Sequence, residues 1–229
     1  MGIKALVDGL EMIINALVKM EKSRILIFNE WIGRKVYDRI SKVLVSDNVE
    51  VFYDRLDMLF SLIKKNEHVN VFFISERSLR PIIHQLVHDL RERLCKTIII
   101  YVSENEKSTE DLRFELAKID MLILEPSTPE DIYLFLIGSY WLAEKTGASV
   151  AIRVHLESIF MKKEVDFAVL KEQFDENEYS SIKNLSDLKE IAKFVTSKVN
   201  LEYGNTRSQY LIIVSGSLSI DVIEKIFMH

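Results

Sequence analysis

Ala5, Leu6, Leu10, Ile13, Ile14 and Leu17 recur at helical spacing and predict an amphipathic helix along the start of the chain. Ile25-Leu26-Ile27-Phe28 then runs apolar without a polar break, which predicts a short strand covered on both faces. The same alternation continues with a helix near Arg34 to Leu44, a strand near Val49 to Phe52, a helix near Leu56 to Lys64 and a strand over Val71 to Ile74. A longer helical pattern from Leu79 to Leu94, with Pro81 in its first turn, leads into a strand over Ile98 to Val102. Met121 to Leu124 is a further strand. Ser127-Thr128-Pro129-Glu130 then supplies an N-cap hydroxyl, a first-turn proline and an early acid for a helix running to about Lys145, with Gly147 at its C-cap. Ser149 to Val154 gives one more strand. Bare apolar strands separated by helices imply a mainly parallel sheet with helices on both faces, so the predicted class is doubly wound α/β.

From about Met161 to Asn184 the apolar runs thin and acids collect at Asp175, Glu176 and Glu178, which predicts an irregular linker. A helix over Leu185 to Lys198 follows. Tyr210 to Val214, Ser215-Gly216-Ser217 and Ile220 to Phe227 then predict a C-terminal strand–helix unit. The expected organisation is one α/β domain over residues 1–160 and an appendage over residues 161–229. A chain of 229 residues, 48% of them hydrophobic, is long enough to bury such a core.

Charge narrows the choice of partner. The net charge of −5 arises from 30 basic and 35 acidic residues scattered along the whole length, with no basic stripe to follow phosphates, so nucleic acid is not expected. Asp8, Glu11, Lys19 and Glu21 interrupt the N-terminal apolar stretch, and no run reaches the roughly 18 to 20 residues that span a bilayer. Cys95 is the one cysteine, which excludes an internal disulfide and a cysteine-ligated iron–sulfur cluster and fits a reducing, cytoplasmic setting. Only 7 glycines and 3 prolines, with abundant Ile, Lys and Glu, fit short loops and a thermophilic source.

One segment is distinctive. Leu124-Glu125-Pro126-Ser127-Thr128-Pro129-Glu130-Asp131, followed by Ala143-Glu144-Lys145-Thr146-Gly147 and Val150-Ala151-Ile152-Arg153, resembles a stretch of the α chains of 2-oxoacid (pyruvate and indolepyruvate):ferredoxin oxidoreductases. Asp111 and Arg113 match an Asp-x-Arg pair that this family carries just upstream. Tyr210 to Ser217 is similar to the strand that opens the family's next domain, and the helix with Gly9 and Ile13 to its opening helix. The resemblance implies a thiamine diphosphate-binding fold, specifically its pyrimidine-binding domain over residues 1–160, with residues 161–229 holding the linker and the start of the next domain. It also implies thiamine diphosphate with magnesium, and a partner bearing the diphosphate-binding half.

The catalytic part of that pattern is absent. Thiamine chemistry needs a carboxylate to accept a hydrogen bond from the aminopyrimidine ring. The segment Val49-Glu50-Val51-Phe52-Tyr53-Asp54-Arg55 aligns with the family's glutamate segment so that Arg55 takes the glutamate's place, and a guanidinium cannot accept. Asp54, one position away, is the nearest carboxylate. Phe28-Asn29-Glu30-Trp31-Ile32-Gly33 lacks the family's Gly-Pro-rich loop, and Ser103-Glu104-Asn105-Glu106-Lys107-Ser108 replaces its Gly- and Ser-containing segment. The resemblance therefore implies a degenerate relative with no catalytic residue and no resident cofactor, acting through a homo-oligomer or a partner oxidoreductase subunit. Asp54, Asp111 and Arg113 are the cofactor-contacting candidates it offers. Two alternatives stay open: a working α subunit that binds thiamine diphosphate with magnesium and is completed by a partner, and a small-ligand binding module at the strand ends near Ser103, Glu125 and Ser215.

Other constellations carry less. His84 and His88 have the spacing of two metal ligands on one helix face but no third ligand in the pattern, so the expected metal set is none and a solvated face is expected. His155 sits at a strand end, where α/β sheets bind ligands, although a structural role is the ordinary one. Cys95 reads as a small buried hydrophobe. Trp31, Trp141 and Phe52-Tyr53 read as core, Glu104 and Glu106 as loop charges, and Ser215-Gly216-Ser217 as an anion-seating turn only if more than one glycine supported it.

Overall fold

The computed structural model describes residues 4–28, 30–43, 49–63, 67–91, 96–103, 112–118 and 121–172. Strands β2 (Ser23–Ile27), β3 (Glu50–Tyr53), β4 (Val69–Ser75), β5 (Thr97–Ser103), β6 (Leu122–Leu124) and β7 (Val150–His155) form one sheet in the order β3-β2-β4-β5-β7-β6. Every pair in it is parallel. Alternate residues of β4 serve opposite faces: Val71 and Phe73 enter one core, Phe72 and Ile74 the other. Both faces are thus apolar, which is why these strands read as unbroken runs in the sequence.

The first core is covered by α1 (Gly9–Val18), α2 (Trp31–Val43) and α7 (Pro129–Thr146), the second by α3 (Leu56–Ile63), α5 (Ile83–Arg91) and α6 (Leu112–Ala117). Helices on both faces of a mainly parallel sheet are the doubly wound class that the sequence predicts. Helix α7 buries twelve of its eighteen residues, so it is apolar nearly all round. Thr128 caps it in a reciprocal box with Asp131, Pro129 fills the first turn, and Gly147 closes it at φ 77°.

Three regions depart from the sequence reading. Residues 5–8, expected within the first helix, belong instead to β1 (Lys4–Asp8), and α1 begins only at Gly9, after an N-cap at Asp8 that boxes with Glu11. The segment from Met161, expected to be irregular, opens with β8 (Lys162–Asp166) and α9 (Phe167–Glu172). β8 pairs antiparallel with β1, Ala5 facing Val165, to make a separate two-stranded ribbon. Nearly every outward position of both strands is polar, and these short stretches show too little apolar signal to stand out. The helix expected over Leu79 to Leu94 begins earlier, as α4 (Glu76–Leu79) capped by Ser75. It tightens to a 3₁₀ turn over Arg80–Ile82 at Pro81 before α5. A further short helix, α8 (Leu156–Phe160), follows β7. The predicted helix over Leu185 to Lys198 and the strand–helix unit over Tyr210 to Phe227 lie outside the described residues.

Candidate functional site

After β2 the chain steps outward to β3, then returns across β2 to β4, so the direction of winding reverses between β2 and β4. Open α/β sheets bind ligands at the carboxyl ends of the strands beside such a reversal. Here the mouth is bridged by a side-chain bond. Ser75, at the end of β4, donates to Glu30 Oε1 beyond the end of β2 at 2.5 Å, and accepts from the Ser78 backbone N–H at 3.2 Å.

A chain of polar side chains then follows the strand ends across the sheet. Glu76 is buried, at 7% exposure; one carboxylate oxygen pairs with Arg80, one turn on, and the other accepts from Ser103 Oγ at 2.7 Å. Ser103 ends β5 and also receives Arg153 Nη2 from β7 at 3.1 Å. Arg153 Nη1 stands 3.5 Å from Glu125 Oε1, just beyond β6, and the same oxygen accepts from Arg113 of α6 at 2.7 Å. Glu125 is 9% exposed, and among the described residues its second oxygen has no hydrogen-bond partner. The parallel register explains the assembly: Tyr101 faces Arg153 and Ser103 faces His155, so the last turns of β5 and β7 deliver their polar groups side by side. Carboxylates and guanidinium groups taken out of water together need each other, because either one alone is expensive to bury.

Of the residues singled out in the sequence, Arg113, Ser103, Glu125 and Arg153 meet in this chain. His155 lies beside it, buried, at the N-cap position of α8. Glu30, Ser75, Glu76 and Arg80 were not anticipated. Their signal was present: a Ser-Glu pair directly after an apolar strand, with an arginine four residues beyond the glutamate. His84 is exposed, with Nδ1 3.5 Å from Glu115, which also holds Lys118 at 2.6 Å. Among the described residues no three metal-ligating side chains gather. Trp31, read as core, is 51% exposed and stacks on Phe160 at 5.5 Å with Lys35 over its ring. Trp141 is half-buried against Tyr140, and Tyr53 stacks on Tyr37. Asp111, Cys95, Glu104, Glu106 and Ser215 to Ser217 lie outside the described residues.

Asp54 and Arg55, which the sequence resemblance singles out, follow directly on β3. Arg55 is half exposed there and turns to Asp57, which accepts from its Nε and Nη2 at 2.9 and 2.8 Å. That pairing holds the Asp57 carboxyl below the usual range, so Asp57 is committed as an anion to the arginine. Asp54 takes a left-handed backbone, φ 52°, with its N–H held by the Ile27 carbonyl at 2.8 Å. The position that the sequence resemblance aligns with a carboxylate thus bears a cation, and the adjacent carboxylate sits on a left-handed turn.

No protein-family description matches the chain, and no curated protein matches it. Solved structures do match in fold. One is a 2-oxoglutarate:ferredoxin oxidoreductase from Magnetococcus marinus with 2-oxoglutarate, coenzyme A and succinyl-CoA bound, at a TM-score of 0.61 and 12% identity over 71% of this chain. The chain spans 31% of the length of that relative in fold.

Proposed function

We propose that the chain is a non-catalytic relative of the α chain of 2-oxoacid:ferredoxin oxidoreductases, built like its thiamine diphosphate pyrimidine-binding domain and acting through subunit association. The observation that carries this reading is Arg55 at the end of β3, turned to Asp57 where the chemistry requires a hydrogen-bond-accepting carboxylate. The fold likeness supports the relationship, and Glu125 and Arg153, both in the stretch that resembles the family in sequence, lie near the carboxyl ends of β6 and β7, where such a fold places its ligands. There, in this chain, carboxylates and arginines bind one another.

A working α subunit, completed by a partner that brings the diphosphate-binding half, is the second reading. Asp54, one residue from Arg55, is the observation in its favour. Isothermal titration calorimetry with thiamine diphosphate and magnesium, run on the chain alone and with any co-purifying partner, separates the two. The non-catalytic reading expects no heat of binding; saturable heat that Asp54→Asn abolishes establishes the working subunit instead.

A further inference from the structure

Among the described residues, β1 and β8 pair only with each other, so within that set each keeps one open edge. An open edge presents unpaired backbone N–H and C=O groups. It is either defended by its side chains or ready to receive another strand. Val7 of β1 is buried and packs in the first core with Val165, and Ala5 packs against the same core. Side chains alternate across a strand, so Lys4, Leu6 and Asp8 share the outer face. Leu6 stands there 68% exposed, a large apolar side chain at the centre of a regular strand.

The two edges differ in what a second copy of the chain meets. Turned antiparallel on itself about Leu6, β1 sets Lys4 opposite Asp8 of the second copy, Asp8 opposite its Lys4, Ala5 opposite its Val7, and Leu6 opposite its Leu6. Opposite charges and apolar pairs facing each other are what stabilise neighbouring strands. The same operation on β8 also sets Lys162 opposite Asp166, but its central pair is Glu164 against Glu164, and like charges directly opposed are destabilising. β8 also carries Lys162 and Lys163, the kind of side chain with which sheets defend an edge. Lys4 already reaches Glu164 of its own ribbon at 3.2 Å, both side chains being 64% exposed. An ammonium has three donors and serves both carboxylates.

We infer that β1 is a homotypic docking edge, through which two copies join across a two-fold axis into one antiparallel ribbon of strand order β8-β1-β1-β8. Backbone hydrogen bonds supply the attraction in strand addition, and side chains select the register. Here the pairing of Lys4 with Asp8, whose Oδ1 also caps α1, selects the register, and the contact closes on itself as a two-fold interface does. The role of this surface rests on the association reading given above, whereas its location rests on the strand alone.

The test is sedimentation velocity on the full chain and on two variants at the exposed position, Leu6→Lys and Leu6→Glu. The wild type sediments as a dimer, each variant alone dissociates with a constant raised on the order of tenfold or more, and an equimolar mixture of the variants restores the dimer. Far-ultraviolet circular dichroism spectra that match the wild type's show that both variants fold. As a second readout, Leu6→Cys in a Cys95→Ser background forms a disulfide-linked dimer under mild oxidation, whereas Glu164→Cys in that background does not. A dimer indifferent to both charges at position 6 overturns the β1 edge and leaves association standing through another surface. A wild type that remains monomeric at every concentration overturns self-pairing and leaves only a different subunit as partner.

Discussion

Gly33 sits where α2 starts against the end of β2, and a Cβ there would overlap the Phe28 carbonyl oxygen, a backbone atom that has no room to yield. Gly33→Ala is therefore expected to lower stability by about 1–3 kcal/mol, the usual range for overpacking, in urea unfolding. Gly147 is a different case, since its surroundings are open and only its φ of 77° resists a side chain, so Gly147→Ala costs about 1 kcal/mol. At the strand ends Arg153 is the residue on which the polar chain turns, joining Ser103 to Glu125. Arg153→Met leaves Glu125 with Arg113 alone, which predicts a loss of roughly 1–3 kcal/mol from the under-satisfied carboxylate. Adding Glu125→Leu to that variant is expected to recover part of the loss, and a double-mutant cycle of unfolding free energies checks both statements.

The elements legible in the sequence are those whose burial leaves a continuous signature. Each of the runs Ile25 to Phe28, Val71 to Ile74 and Ile98 to Val102 became a strand covered on both faces, and Thr128 with Pro129 and Asp131 marked the start of α7. β1 and β8 were not legible, because a two-stranded ribbon with one face in water offers only Ala5, Val7 and Val165 to the core. The same holds for the site. Arg113, Glu125 and Arg153 were named from the resemblance, but that one carboxylate oxygen holds both guanidinium groups depends on the register of β6 and β7 and on the placing of α6, which no local pattern encodes. The cap of α7 carries a pH prediction. Burial raises the Asp131 carboxyl above its ordinary 3.8, outweighing the bonds it receives from the Ser127 and Thr128 backbone. The folded chain thus holds this proton more tightly than the unfolded one, so the stability it contributes is complete below 3.8 and is lost as pH rises through the raised value. Thermal melts of wild type and Asp131→Asn across that interval are expected to diverge, the variant lacking this component of the slope.

At the scale of the whole molecule, a mainly parallel sheet is similar in fold to part of a 2-oxoglutarate:ferredoxin oxidoreductase chain, and its strand ends are occupied by their own charges. Among the described residues no helix is long and apolar enough to cross a membrane, and the exposed large apolar side chains include the Trp31–Phe160 stack, Phe114 on α6 and Leu6 on the ribbon. The proposed role is to hold other chains through its surface. Ligand linkage tests this most directly, because any molecule that binds only the folded state raises its melting temperature, by about 2.7 kcal/mol of stability at a hundredfold excess over the dissociation constant. The decisive measurement is the melting temperature of the purified full chain with and without saturating thiamine diphosphate and magnesium. An unchanged melting temperature is the result predicted here; a rise that grows with the logarithm of the thiamine diphosphate concentration at constant magnesium would contradict it.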